Sequence, residues 1–370
     1  MSESYNAHMH RYLNLVFILL SIFILSGCKT ITLDESFVFQ PGQFGGNETE
    51  PRTSKLRYES VLLEPTDLVI DVWADNQKAK HIIRSDSFVK STVMHDIIAS
   101  GGEQLGITLV ERSGASRPLV VHCGGNASDR YESGTLYAQK IIASADVLLF
   151  DYPGYGESTG RATAESLKLA NQTIANFAKS NRKPDQSLIL WGHSLGGFVC
   201  ADMAGHFESV DGIVLETSAT NAEDVSKAVI PWYAKAFIKT RVAESLQAYD
   251  VVETLKHVDA PILILGAAKD KTLPIELSQA LADRLAASGH DVTYVEFLKG
   301  NHISVPIQDT YMTTIEAFMA KIKAQKANRA LFQISSLNPY RHGSNNSLPH
   351  LSDGRRCSHA GSPLHSGKFL

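Results

Sequence analysis

Ser194 stands in the run Gly192-His193-Ser194-Leu195-Gly196-Gly197, after the apolar stretch Leu188-Ile189-Leu190-Trp191 and at the head of the helical pattern Leu195 to His206. Small residues two before and two after a serine suit a sharp strand-to-helix turn, where larger side chains would clash. Such a turn lifts the hydroxyl above a sheet and sets it at a helix N-terminus, whose free N–H groups favour developing negative charge. A serine hydroxyl is a weak nucleophile until a base takes its proton, so a histidine oriented by a buried carboxylate should follow later in the chain. Ile262-Leu263-Ile264-Leu265 leads into Gly266-Ala267-Ala268-Lys269-Asp270 and Pro274, which puts Asp270 at the carboxyl end of a strand. Val292 to Phe297 runs into Lys299-Gly300-Asn301-His302, which puts a histidine on a loop after the last strand. The order Ser194, Asp270, His302 is the order such a triad takes in a strand-turn-helix setting, and its chemistry is acyl transfer through a covalent intermediate.

That chemistry needs donors for an oxyanion. One is the backbone N–H of Leu195, directly after the nucleophile, and the other is expected from Gly125 or Asn126. These lie in His122-Cys123-Gly124-Gly125-Asn126-Ala127, the loop that follows Leu119-Val120-Val121. Glycines there let backbone approach a substrate oxygen. No metal and no organic cofactor are required by this mechanism. His342, His350, His359 and His365 are spaced too irregularly to read as a metal site.

The elements that must position these residues show as short apolar runs alternating with helical patterns. Runs at 119–121, 147–150, 188–191, 213–215, 262–265 and 292–297 predict about six parallel strands. Helical spacing at 136–145, 164–179, 195–206, 275–287 and 311–325 supplies cover for both faces of the sheet. Earlier strands are expected at Tyr58–Leu63, at His95–Ile98 and at Leu105–Val110, the last two joined as a hairpin across Gly101-Gly102. The polar stretch between the first two is ambiguous. Between Thr217 and Val258 the chain carries about forty residues before the next strand, and they predict a small helical cap over 217–258, with a helix over Ala234–Ala248. Trp232, Tyr233 and Phe237 in that cap suit either core packing or contact with an acyl chain or lipid.

The expected α/β domain spans 56–328, with a tether at 28–55 and a tail at 329–370 rich in Ser, Asn, Pro, Gly and His that reads as disordered. Lys and Arg number 35 against 39 Asp and Glu, a net charge of -4, so no basic field marks a nucleic-acid partner. The four cysteines, Cys28, Cys123, Cys200 and Cys357, form neither a disulfide framework nor a CxxC pair, and Cys123 and Cys200 read as buried thiols. At the N-terminus His8, His10 and Arg11 precede thirteen residues, Leu13 to Leu25, that only Asn14 and Ser21 interrupt. This is export-signal architecture, shorter than the roughly 20 apolar residues of a bilayer span. It ends in Leu25-Ser26-Gly27-Cys28, which resembles the lipobox of bacterial lipoproteins. The resemblance implies a signal peptide over 1–27, lipidation of Cys28, a membrane anchor and a place in the cell envelope. Lys29 after the cysteine implies the outer membrane, facing the periplasm.

From about Leu105 to Ile322 the chain resembles the α/β-hydrolase superfamily, through the glycine-rich loop at 124–127, Asp151-Tyr152-Pro153-Gly154-Tyr155-Gly156-Glu157-Ser158, the turn at Ser194, Asp270 with Pro274, and Asn301-His302. The likeness is to compact-cap members of the serine-aminopeptidase-like and monoacylglycerol-lipase-like branch. It implies an α/β-hydrolase fold with a mostly parallel central sheet, helices on both faces and a small helical cap. It also implies a serine hydrolase acting on a small acyl substrate. Two positions depart from the pattern: His122 falls two residues before the expected His-Gly-Asn-Ala alignment, and Gly266-Ala267 replaces the His-Gly pair before the acid loop. Some members draw the acid from the position of Glu216, which is the alternative to Asp270. A carboxylic ester is the expected substrate; an amide or thioester on the same triad, and a non-catalytic envelope lipoprotein using the fold as a binding module, are the other readings.

Overall fold

The apolar runs assemble into an eight-stranded sheet in the order β12-β11-β9-β8-β6-β7-β5-β4. The computed structural model describes residues 29–41, 67–74, 77–84, 91–112, 114, 116–131, 133–231, 233–235 and 237–336. Within it β6 (Leu119–Cys123), β7 (Asp146–Phe150), β8 (Leu188–His193), β9 (Gly212–Glu216) and β11 (Ile262–Ala267) are buried at every position. Strands covered on both faces need apolar residues at each position rather than alternation, which is why these runs are continuous. With β12 (Val292–Phe297) they form the six-stranded parallel block. Beyond β7, β5 (Glu103–Arg112) and β4 (Ser91–Ser100) add antiparallel. Gly101 and Gly102 make their two-residue turn, both at positive φ (58° and 93°), the backbone this tight hairpin requires.

Two apolar layers cover the sheet. On one face α2 (Ser133–Ile141) and α9 (Tyr311–Ser336) pack Leu136, Ile141, Ile315, Phe318 and Ile322 against Val120, Ile189 and Leu263. On the other α3 (Ala164–Asn181), α4 (Gly196–Ala204) and α8 (Ile275–Ala287) pack Leu167, Ile174, Val199, Met203 and Leu281 against Leu148, Leu190 and Ile264. The chain divides after Lys326 into two compact units, Met1–Lys326 and Ala327–Leu370.

Several expectations are corrected here. The ambiguous polar stretch contains a two-stranded antiparallel hairpin, β2 (Asp67–Ala74) with β3 (Gln77–Arg84). The strand expected at Tyr58–Leu63 lies outside the described residues, as do Cys28, the signal segment and the tail histidines. The tether is no tether at its start: Lys29–Leu33 forms β1, Glu35–Val38 forms the one-turn α1, and Leu33 and Phe39 are buried. In the cap, α5 (Ala222–Ala228) is capped by Asn221, whose side chain accepts from Asp224 N–H at 2.9 Å. Where a helix over Ala234–Ala248 was expected, the chain instead forms β10 (Ile238–Val242) and then the short helices α6 (Glu244–Gln247) and α7 (Val251–Leu255). The β-branched alternation Ile238-Lys239-Thr240-Arg241-Val242 pairs in parallel with Lys29-Thr30-Ile31-Thr32-Leu33, a partner some two hundred residues away in the chain. The last helix runs to Ser336 rather than Gln325, because no glycine or proline stops it before Pro339. Finally, Cys123 and Cys200 are a disulfide, not two thiols, with their Cα atoms 6.1 Å apart.

Candidate active site

The strand order reverses at β6: β7 lies on one side of it and β8 on the other, so the loops after β6 and β8 part and leave a crevice at their carboxyl ends. Ser194 follows β8 there, with φ at +54°, a left-handed conformation that costs a non-glycine residue about 1–3 kcal/mol. The turn can be this tight because a Cβ on Gly192 would collide with the Gly196 carbonyl, and one on Gly196 with the Cys123 carbonyl. Ser194 N–H donates to the Glu216 carbonyl at 2.8 Å, and Ser218 Oγ donates to the Ser194 carbonyl at 3.0 Å. The strained turn is thus held to the end of β9 and the loop that follows it.

Three side chains meet at the crevice. Asp270 Oδ2 lies 2.7 Å from His302 Nδ1, and His302 Nε2 lies 2.9 Å from Ser194 Oγ. With Nδ1–H donated to the carboxylate, Nε2 is left as the acceptor for the serine hydroxyl. The other carboxylate oxygen of Asp270 accepts the N–H groups of Thr272 and Leu273, each at 2.8 Å, so the acid cannot swing away from the ring. All three residues are buried with their tips toward one another.

Two residues that sequence reasoning passed over fix the histidine loop from below. His193 Nε2 donates to the His302 carbonyl at 2.8 Å, and Thr217 Oγ1 donates to the same carbonyl at 3.2 Å. Burial holds the His193 pKa down to about 3, so its ring is a neutral strut whose Nε2 carries the proton. Thr217 is itself at positive φ (+43°), directly after Glu216. No local signal marks either role, because each partner is a backbone atom far away in the chain.

Glu216 is turned elsewhere. Its carboxylate is fully buried beneath the crevice, accepting from Tyr137 Oη at 2.8 Å and Tyr311 Oη at 3.2 Å, and burial pushes its pKa up to about 7. The carboxylate that meets His302 is that of Asp270.

The loop after β6 closes the other side. Gly125 lies against Ser194, since a Cβ there would stand 3.5 Å from Ser194 Cβ and 2.7 Å from His193 Nδ1. The Asn126 side chain accepts from Gln40 N–H at 3.0 Å and from Tyr155 Oη at 2.6 Å, while Tyr152 Oη donates to the Gly124 carbonyl at 2.6 Å. Beneath this, buried Arg130 pairs with Asp151 and Glu157 and donates from Nε to Thr108 Oγ1 at 3.1 Å. The 151–158 segment is therefore a wall that props the loop. Leu195, the other expected donor, starts α4 with helical φ and ψ. A cavity of about 490 Å³ lined by Glu35, Lys168, Phe198, Asp202, Tyr249 and Val251 opens beyond α4, and none of Ser194, Asp270 and His302 lines it.

A mostly parallel sheet covered on both faces, with Ser194, Asp270 and His302 meeting at its carboxyl edge, is the α/β-hydrolase fold. The family model described as "alpha/beta hydrolase fold" matches residues 119–241. Among individual proteins, the chain is 29% identical over 222 residues to human protein ABHD12B, covering 55% of this chain and 61% of that one. It is 26% identical over 201 residues to the lysophosphatidylserine lipase ABHD12 of Danio rerio, covering 50% and 52%. The chain thus spans between about half and three fifths of the length of these relatives. Among solved structures, Pyrococcus furiosus esterase Pf2001 superposes with a TM-score of 0.50 at 15% identity, over 70% of this chain and 99% of that one, a likeness of fold.

Proposed function

We propose that the chain is a serine hydrolase that cleaves a carboxylic ester of a lipid-like acyl substrate. The observation that carries this reading is the unbroken contact from Asp270 through His302 to Ser194 at the carboxyl edge of the sheet. His302 takes the proton of Ser194 as the oxygen attacks the acyl carbonyl, and the N–H of Leu195 with that of Gly125 or Asn126 holds the negative oxygen. The imidazolium returns its proton to the leaving alcohol, and a water activated by His302 then frees the acid. A lipid ester is favoured over an amide by the name of the Danio rerio relative.

We place this reaction at the cell envelope, with the chain held through a lipidated Cys28. The sequence Leu25-Ser26-Gly27-Cys28 supports this, and so does the pairing of Cys123 with Cys200, since disulfides persist in oxidising compartments. A fluorophosphonate probe tests the enzyme reading. It should label the full-length wild type and not Ser194→Ala, and hydrolysis of p-nitrophenyl esters should fall with the label. Labelling that survives Ser194→Ala refutes this assignment of the nucleophile.

A further inference from the structure

β1 begins one residue after Cys28 and four after Leu25, the end of the apolar stretch. It is bound in register to the cap, Lys29 opposite Ile238 through Leu33 opposite Val242, and Leu33 is buried. Whatever holds the chain to a membrane, a lipidated Cys28 or the apolar stretch itself, the slack before the cap is at most roughly 10–15 Å of extended chain. The N-terminus therefore delivers the membrane to the cap and not to an arbitrary face of the domain.

The cap surface beside β1 has the composition a bilayer interface selects. Val229, Tyr233 and Phe237 are 46%, 66% and 36% exposed. In register, Thr30 pairs with Lys239 and Thr32 with Arg241, so these two cations share the outward face of the β1–β10 ribbon while Leu33 and Val242 turn inward. Between Val229 and Ala243 the chain carries three cations, Lys235, Lys239 and Arg241, and no carboxylate, although its net charge is -4. Apolar and aromatic groups ringed by cations seat at the headgroup level of anionic lipid.

We propose that the cap tip, from Val229 to Arg241, is a docking surface for an anionic lipid bilayer, held there by β1. The proposal rests on the N-terminal anchor stated above. The cap is inserted after β9, at the carboxyl edge of the sheet where Ser194 lies, so a docked cap turns that edge toward the bilayer and a lipid ester reaches the crevice without crossing water.

Photo-crosslinking on the full chain tests it. The crosslinker p-benzoylphenylalanine replaces Tyr233, Phe237 or, as a control of similar exposure on edge strand β4, Ile97. The proteins are reconstituted in vesicles of phosphatidylcholine and phosphatidylglycerol with tritiated acyl chains, floated, and irradiated. Label should reach positions 233 and 237 roughly ten-fold more than position 97, and Lys239→Glu with Arg241→Glu should lower it by a similar factor. Floated protein labelled equally at all three positions, or crosslinked to a second copy in place of lipid, overturns the docking surface and leaves the anchor standing. A chain that neither floats nor labels overturns both. Flotation of Cys28→Ala, run separately, decides whether the anchor is a lipid on that cysteine.

Discussion

Two carboxylates end neighbouring strands below Ser194, and their surroundings divide the work between them. Asp270 is locked by two backbone N–H groups and meets the imidazole, so in the proposed reaction it orients His302 and stabilises the charge formed there. Asp270→Asn should lower kcat by about ten-thousand-fold in an ester assay while leaving the fold intact. Glu216 touches two tyrosines and no histidine, and Glu216→Gln should keep activity within about ten-fold. Its signature is in stability. A carboxyl raised from 4.5 to about 7 binds a proton more tightly folded than unfolded, so it costs stability as pH rises from about 4.5 to 7 and no further above that. Urea unfolding across that range should show wild-type stability falling relative to Glu216→Gln by up to roughly 3 kcal/mol. Parallel curves for the two proteins would mean that Glu216 is ionised in the fold at no cost.

Among elements, the cap is what the N-terminal segment completes. Among the described residues β10 has its sheet partner only in β1, and Leu33 is buried behind the pair. Gln40, a few residues on, hydrogen-bonds the Asn126 side chain, so the same segment also braces the loop beside the nucleophile. Leu33→Ala should cost about 2–5 kcal/mol in urea unfolding, as a buried leucine does. Helical spacing predicts a helix over 234–248, although Ile238, Thr240 and Val242 also alternate as a strand does. What decided the contest was a strand contributed from the other end of the domain, which no window of local sequence contains.

For the whole molecule, the Cys123–Cys200 bond joins the strand that leads into the oxyanion loop to the helix that leads away from Ser194, across 77 residues. It ties together the two segments whose N–H groups are assigned to the oxyanion. Replacing both cysteines by alanine should lower stability by about 2–4 kcal/mol. Dithiothreitol should lower the wild type by the same amount and leave the double variant unchanged. Alkylation with mass analysis should find Cys123 and Cys200 blocked until reduction. A wild type indifferent to reductant, with both thiols open to alkylation when unfolded, would refute the bond and remove one support for an exported protein.

By itself the sequence determined the parallel block, the hairpin across Gly101-Gly102, and the positions of Ser194, Asp270 and His302 at strand ends. Each of these rests on local physics: continuous apolar runs for strands buried on both faces, glycines where φ must be positive, and a turn too tight for side chains at 192 and 196. Spacing in the sequence favoured Asp270 over Glu216 as the acid, and the tertiary structure alone shows that the Asp270 carboxylate meets the imidazole while that of Glu216 meets two tyrosines. It alone decided that His193 and Thr217 hold the His302 carbonyl, that Cys123 and Cys200 pair, and that Lys29–Leu33 is a strand of the cap. These are contacts between segments far apart in the chain, chosen by burial and hydrogen-bond geometry in three dimensions, and they leave no periodicity in the sequence to be read.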